Sequence, residues 1–181
     1  MNHEIAAEGI TALRARIFTF GADAAQPIHH PDGLVVMRGG LIERVGDYAE
    51  IAPLLDPAVR VTDHRPNIVM AGFIDPHLHM PQTQVIASYG TELLDWLSKY
   101  TFPEESRYHD RAVCDAASRF LLDTLLRNGT TTAAAYCTSH PQSVESLFEE
   151  AARRNMRITA GKVMMDRNAP ASLTDTARAR L

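Results

Sequence analysis

Gly72-Phe73-Ile74-Asp75-Pro76-His77-Leu78-His79-Met80-Pro81-Gln82 closes an apolar run that starts at Ile68. If the strand from Ile68 to Ile74 continues to His79, its period of two places Asp75, His77 and His79 on one face. Both imidazoles then reach one cation, and neutral imidazole suits Zn²⁺ and Fe²⁺ alike. Eight histidines in 181 residues produce a His-x-His by chance about once in three such sequences, so the pair alone is a weak signal. Its surroundings strengthen it: an apolar strand in front, Asp75 in phase, and Pro76 and Pro81 bracketing the pair.

Downstream, helical patterns alternate with short strands, the signature of βα units around a parallel sheet. Leu93, Trp96, Leu97 and Tyr100 fit one helical face, read as core or pocket wall. Val113, Ala117, Phe120, Leu121 and Leu125 form a helical stripe that stops at Asn128-Gly129, with Gly129 the natural residue past the helix end. A strand from Thr130 to Tyr136 follows, then a helix from Pro141 to Arg154 with Val144, Leu147, Phe148 and Ala151 on one face. The acidic pair on that helix, Glu149 and Glu150, reads as solvated surface. A strand from Met156 to Met165 comes next, and Thr174 to Leu181 reads as the start of another helix.

Upstream the texture is β-rich. Ala12 to Phe20 alternates, and Gly33 to Met37 and Leu41 to Val45 flank the turn signal Arg38-Gly39-Gly40, a hairpin. Tyr48 to Leu55 reads as a short helix and Val59 to Thr62 as a strand. Counting Ile68 to Ile74, three barrel-type strands are present, whereas a closed (β/α)8 barrel needs eight and about 250 residues. The expected fold is α/β: a β-rich, sandwich-like substructure over residues 1–66, then the first part of a (β/α)8 TIM-type barrel over residues 67–181, too short to close. His77 and His79 then lie at the carboxyl end of the first barrel strand, where such folds keep their sites.

Composition bounds the partners. With 18 basic and 22 acidic residues the formal charge is −4, so no cationic field is present to hold a nucleic-acid backbone. Cys114 and Cys137 are too few and too far apart for a Cys-x-x-Cys site or a disulfide framework, and read as reduced, packed thiols of a cytoplasmic protein. Residues Met1 to Ala25 lack the pattern of a signal peptide, and no stretch approaches the roughly 20 apolar residues of a membrane span.

The run Gly72-Phe73-Ile74-Asp75-Pro76-His77-Leu78-His79 resembles the Gly-Phe-Ile-Asp-x-His-x-His signature of the amidohydrolase superfamily, in which the two histidines end the first barrel strand and bind a divalent metal. His79-Met80-Pro81-Gln82, Leu94-Asp95-Trp96-Leu97, Lys99-Tyr100-Thr101-Phe102-Pro103, Asn128-Gly129-Thr130-Thr131-Thr132 and Gly161-Lys162-Val163-Met164-Met165-Asp166-Arg167-Asn168 resemble the bacterial guanine deaminases in order and spacing, from about Asn67 to Thr176. The resemblance implies hydrolytic deamination of guanine to xanthine and ammonia by a metal-activated water. It implies one divalent ion, Zn²⁺ with Fe²⁺ as the alternative, held by His77 and His79. The segment His79, Met80, Pro81 and Gln82 is implied to line the purine site, and the Gln82 amide offers a donor and an acceptor to a purine edge.

Two further histidines, an aspartate, a proton-shuttling glutamate and an Arg-Phe substrate contact belong, by the same resemblance, to later segments. No catalytic residue is therefore expected within these 181 residues; the chain alone is expected to be inactive, and the full-length enzyme a homodimer. Asp75 reads either as the group that orients a ligand histidine or as a turn residue. His29, His30, His64, His109 and His140 read as surface or capping residues. Lys162 invites comparison with the carboxylated lysine of two-metal amidohydrolases, but guanine deaminases resemble the one-metal branch, so it reads as structural. The alternatives are another deaminase or chlorohydrolase of the superfamily, acting on a triazine, adenosine-type or cytosine-type substrate, or a catalytically silent fragment. The other zinc-deaminase architecture is excluded, because its His-x-Glu and Pro-Cys-x-x-Cys are absent.

Overall fold

The computed structural model describes Ile5, residues 8–90 and residues 92–175, and the chain divides into two compact units, residues 1–71 and 72–181. In the first, β1 (Ile10–Phe20), β2 (Pro27–Arg38), β3 (Leu41–Asp47) and β4 (Val61–Met70) form a sheet of order β3-β2-β1-β4. The expected hairpin is β2-β3, and it turns on Gly39 (φ 57°) and Gly40 (φ 83°). Two successive left-handed residues make the tight turn whose twist matches its strands, and glycine adopts them without strain. A short helix, α1 (Tyr48–Ile51), follows β3, and Ile51 joins Ile5, Ala12, Leu34 and Val36 in this unit's core.

The strand expected from Ile68 to Ile74 is two strands. Ile68, Val69 and Met70 end β4, which runs parallel to β1 and pairs there with Arg16, Ile17 and Phe18. The chain leaves that sheet at Ala71-Gly72 and restarts as β5 (Phe73–His79). Apolar continuity records extended, apolar chain but not which sheet each residue joins, so the break is invisible to it. Gly72 has a reason of its own: a Cβ there would run into the stiff, β-branched side chain of Thr131.

In the second unit β5, β6 (Thr130–Tyr136) and β7 (Arg157–Gly161) form an open parallel sheet of order β5-β6-β7. The last strand is shorter than the expected Met156 to Met165. Between β5 and β6 the chain makes a 3-10 turn (Met80–Val85) and a helical run: α2 (Leu93–Trp96), a π turn (Leu97–Thr101), α3 (Phe102–Ser106) and a 3-10 turn (Arg107–His109). Then comes α4 (Arg111–Arg127), started by the Asp110 carboxylate, which accepts the Ala112 N–H at 2.8 Å. Gly129 (φ 83°) releases the chain into β6. Helix α5 (Pro141–Arg153) links β6 to β7. Tyr108, Cys114, Leu122, Ala135, Cys137 and Leu147 are buried together where α4 and α5 cover the sheet.

Two other expectations change. Leu93 is 68% exposed, whereas Trp96, Leu97 and Tyr100 of the expected face are partly buried. Glu150 is not solvated: its side chain is 4% exposed and is held by Arg119, Arg153 and Arg154, while Glu149 is half exposed and bonds Arg111. The helix expected at the end of the chain lies, from residue 176 on, outside the described residues. Among those described, no helix is long and apolar enough to cross a membrane.

Candidate functional site

The carboxyl end of β5 is not a plain strand. Asp75 pairs with Ala133 and Leu78 with Ala135, three steps on β5 against two on β6, so a bulge falls at Pro76-His77. Asp75 makes the bulge: its Oδ1 accepts the His77 backbone N–H at 3.0 Å. Of its two readings, the turn residue is the one the contacts show. The bulge leaves His77 and His79 on the same side, with ring centroids 5.3 Å apart and their Nε2 atoms 3.4 Å apart. Tyr136, the register partner of His79 on β6, lies against both rings, at 5.3 Å from His77 and 5.1 Å from His79.

That nitrogen separation tests whether the pair suits a metal. Two imidazole nitrogens each about 2.0–2.1 Å from one Zn²⁺ at a tetrahedral angle stand about 3.3–3.4 Å apart, so the observed spacing fits. Burial, and then the neighbouring His77, hold the His79 imidazolium below the usual histidine range, which favours the neutral ring a ligand must be. Among the described residues no third His, Cys, Asp or Glu completes a ligand group with them.

Gln82 sits in the 3-10 turn directly after β5. Its Nε2 lies 3.1 Å from His79 Nδ1 and 3.2 Å from Glu105 Oε1. Asp75, His77, His79, Gln82 and Trp96 border an open cleft of about 660 Å³, within the range of small-ligand sites. The Trp96 indole is fixed by its Nε1–H donating to the Ser88 carbonyl at 3.1 Å. Met80 and Pro81 are fully buried; they brace the turn from behind, whereas His79 and Gln82 present polar atoms at the cleft.

Lys162 and three of the other histidines are engaged elsewhere. Lys162, just past the end of β7, pairs with Asp175 and donates to the Ser139 carbonyl. His109 Nδ1 donates to the Ser106 carbonyl at 2.7 Å, His140 Nδ1 meets Thr138 Oγ1 at 3.0 Å, and His30 pairs with Asp47 at 2.9 Å. His29 and His64 lie on β2 and β4 of the first unit. Two site residues escaped the sequence reading. Tyr136 ends a strand whose neighbour in the sheet is not written in the sequence, though its place at a strand's carboxyl end was a usable signal. Glu105 is one of two adjacent glutamates, and composition does not say which of them turns inward.

Residues 68–181 match the Amidohydrolase family. The guanine deaminase of Escherichia coli (strain K12) is 48% identical over 146 residues, covering 81% of this chain and 33% of that protein. The solved structure of E. coli guanine deaminase superposes with a TM-score of 0.87 at 43% identity, over 93% of this chain and 41% of that one. The guanine deaminase from C. acetobutylicum, solved with guanine bound in its active site, superposes with a TM-score of 0.78 at 28% identity, over 92% and 39%. The chain spans about a third of the length of the two bacterial relatives it matches and about a fifth to a quarter of the others.

Proposed function

The chain belongs to the amidohydrolase family, and from that premise we propose that it supplies the first part of a guanine deaminase, which hydrolyses guanine to xanthine and ammonia. The observation that carries the reading is the convergence of His77 and His79, Nε2 to Nε2 at 3.4 Å beside the Gln82 amide, in a chain 48% identical to an enzyme of that name. His77 and His79 are the proposed ligands of one divalent ion, Zn²⁺ with Fe²⁺ as the alternative. When bound, such an ion brings the pKa of water down toward neutrality and so supplies the nucleophile.

The chain's own residues position that chemistry. Tyr136, packed on both imidazoles, restricts their rotation. Gln82 offers the purine edge an amide with both a donor and an acceptor, and Met80 and Pro81 hold the turn that carries it. Proton transfer is assigned to none of the described residues. The partner is a small purine base rather than a nucleic acid or a membrane surface, and a cytoplasmic homodimer goes with the same reading. The protein expressed from its intact gene and loaded with Zn²⁺ or Fe²⁺ is expected to release ammonia from guanine in preference to adenosine, cytosine or a triazine. No turnover of guanine ends the proposal; preference for one of the others moves the reaction elsewhere in the family.

A further inference from the structure

Gly90 lacks a side chain for a reason its backbone does not supply. It is not among the glycines with positive φ, so other residues could adopt its conformation; what excludes them is space. A Cβ there would stand 2.6 Å from Cβ and 2.9 Å from Cδ1 of Trp96. A Cβ is fixed by its backbone, so turning the indole does not relieve the clash, and the chain on one side or the other must move. The same loop meets the same ring a second time, where Trp96 Nε1–H donates to the Ser88 carbonyl at 3.1 Å. The loop itself is held. The Ser88 N–H bonds the Val85 carbonyl at 3.1 Å, and the Trp96 N–H bonds the Glu92 carbonyl at 3.0 Å. Within it Ala87 is kept at φ 61°, a left-handed conformation that a residue with a Cβ adopts only where its surroundings impose it.

The indole has one donor and no acceptor. With that donor taken by Ser88, Trp96 offers the cleft it borders with His77, His79 and Gln82 a flat ring and no free polar atom. A flat apolar wall together with polar atoms from other residues suits a planar base, whose face stacks while its edge forms hydrogen bonds. Resting on the guanine reading given above, we propose that Gly90 is a positioning residue: its bare backbone lets the Ser88–Gly90 segment lie against Trp96 and hold the indole as the wall on which the base stacks.

The test uses the protein expressed from its intact gene and loaded with Zn²⁺, with steady-state kinetics on guanine. NMR follows the Trp96 indole N–H, assigned by its disappearance in Trp96→Phe. Gly90→Ala is expected to raise KM about 5- to 50-fold, the size of a weakened base–aromatic stack. Its kcat is expected to stay within about threefold, because a wall that holds the base alike in ground and transition states acts on KM. Its indole N–H is expected to exchange with solvent at least about tenfold faster than in wild type, as the bond to Ser88 opens, with Zn²⁺ content unchanged. Trp96→Phe, which keeps a ring and removes the N–H, is expected to raise KM in the same way. The double variant is expected to stay within about twofold of the larger single effect, because both changes act on one wall. Unchanged KM in Gly90→Ala, a loss confined to kcat, an indole that exchanges as in wild type, or effects that simply add overturns the proposal. If Gly90→Ala does not fold, Trp96→Phe decides: a raised KM with kcat retained supports the proposal, and an unchanged KM overturns it. Faster indole exchange in Gly90→Ala of a protein that leaves guanine untouched ends the guanine reading alone, and the split between KM and kcat is then read with the base it does deaminate.

Discussion

At the scale of single residues, His77 and His79 owe their arrangement to two neighbours of different kinds. Asp75 bends the strand, and Tyr136 packs on the rings from the next strand. The first was legible, because Asp75 stands in the same eleven-residue stretch; the second was not, since it depends on which strand lies alongside and in which register. The two cysteines were legible as packed thiols and are free and buried. Burial pushes the Cys114 thiol up to about 11 and the Cys137 thiol up to about 12. The thiolate is the reactive form, so neither is expected to react with a thiol-specific disulfide reagent at pH 8 until denaturant is added. Stoichiometric reaction of the folded protein within minutes would contradict this packing.

At the scale of elements, α4 and α5 are tied by a carboxylate. Glu150 accepts from Arg154 at 2.5 Å and Arg153 at 2.6 Å on its own side, and from Arg119 of α4 at 3.5 Å. Hydrogen bonding from Arg154, ahead of the charges of Arg153 and the others, holds the Glu150 carboxyl below the usual glutamate range. A group whose folded pKa is depressed contributes stability above its unfolded pKa and loses it as the pH falls through the folded one. Wild type is therefore expected to lose stability more steeply than Glu150→Gln below about pH 4. At pH 7, Glu150→Gln is expected to cost about 1–3 kcal/mol by denaturant unfolding, because the buried acceptor is exchanged for a partly mismatched amide; equal acid sensitivity of the two proteins would discount the tie. The start of β5 has a steric counterpart. Gly72→Ala drives a Cβ into Thr131 and is expected to destabilise by about 1–3 kcal/mol, partly recovered by Thr131→Ala; a neutral Gly72→Ala would mean that the strands separate easily.

At the scale of the whole molecule, three parallel strands carry a two-imidazole site, and Phe73 and Ile74 on β5 are 56% and 71% exposed. Catalytic zinc generally takes three protein ligands, and open strand edges pair with other chains. The 181-residue chain by itself is expected to bind Zn²⁺ at least about 100-fold more weakly than the protein from the intact gene, and to self-associate in light scattering; matched affinity would mean that a ligand has been overlooked. What the sequence by itself determined was local: the hairpin on Gly39-Gly40, α4 with its end at Gly129, β6, α5, and two histidines on one side of a strand end. Each follows from turn stereochemistry or from side-chain periodicity, which act over a few neighbouring residues. Only the tertiary structure decided that the apolar run at Ile68 divides between two sheets, that Glu105 and Glu150 turn inward beside exposed or paired glutamates, and that Tyr136 meets the histidines. Side-chain character does not name the neighbour a residue meets in the fold, and one π turn redirects every side chain after it without leaving a mark in the pattern.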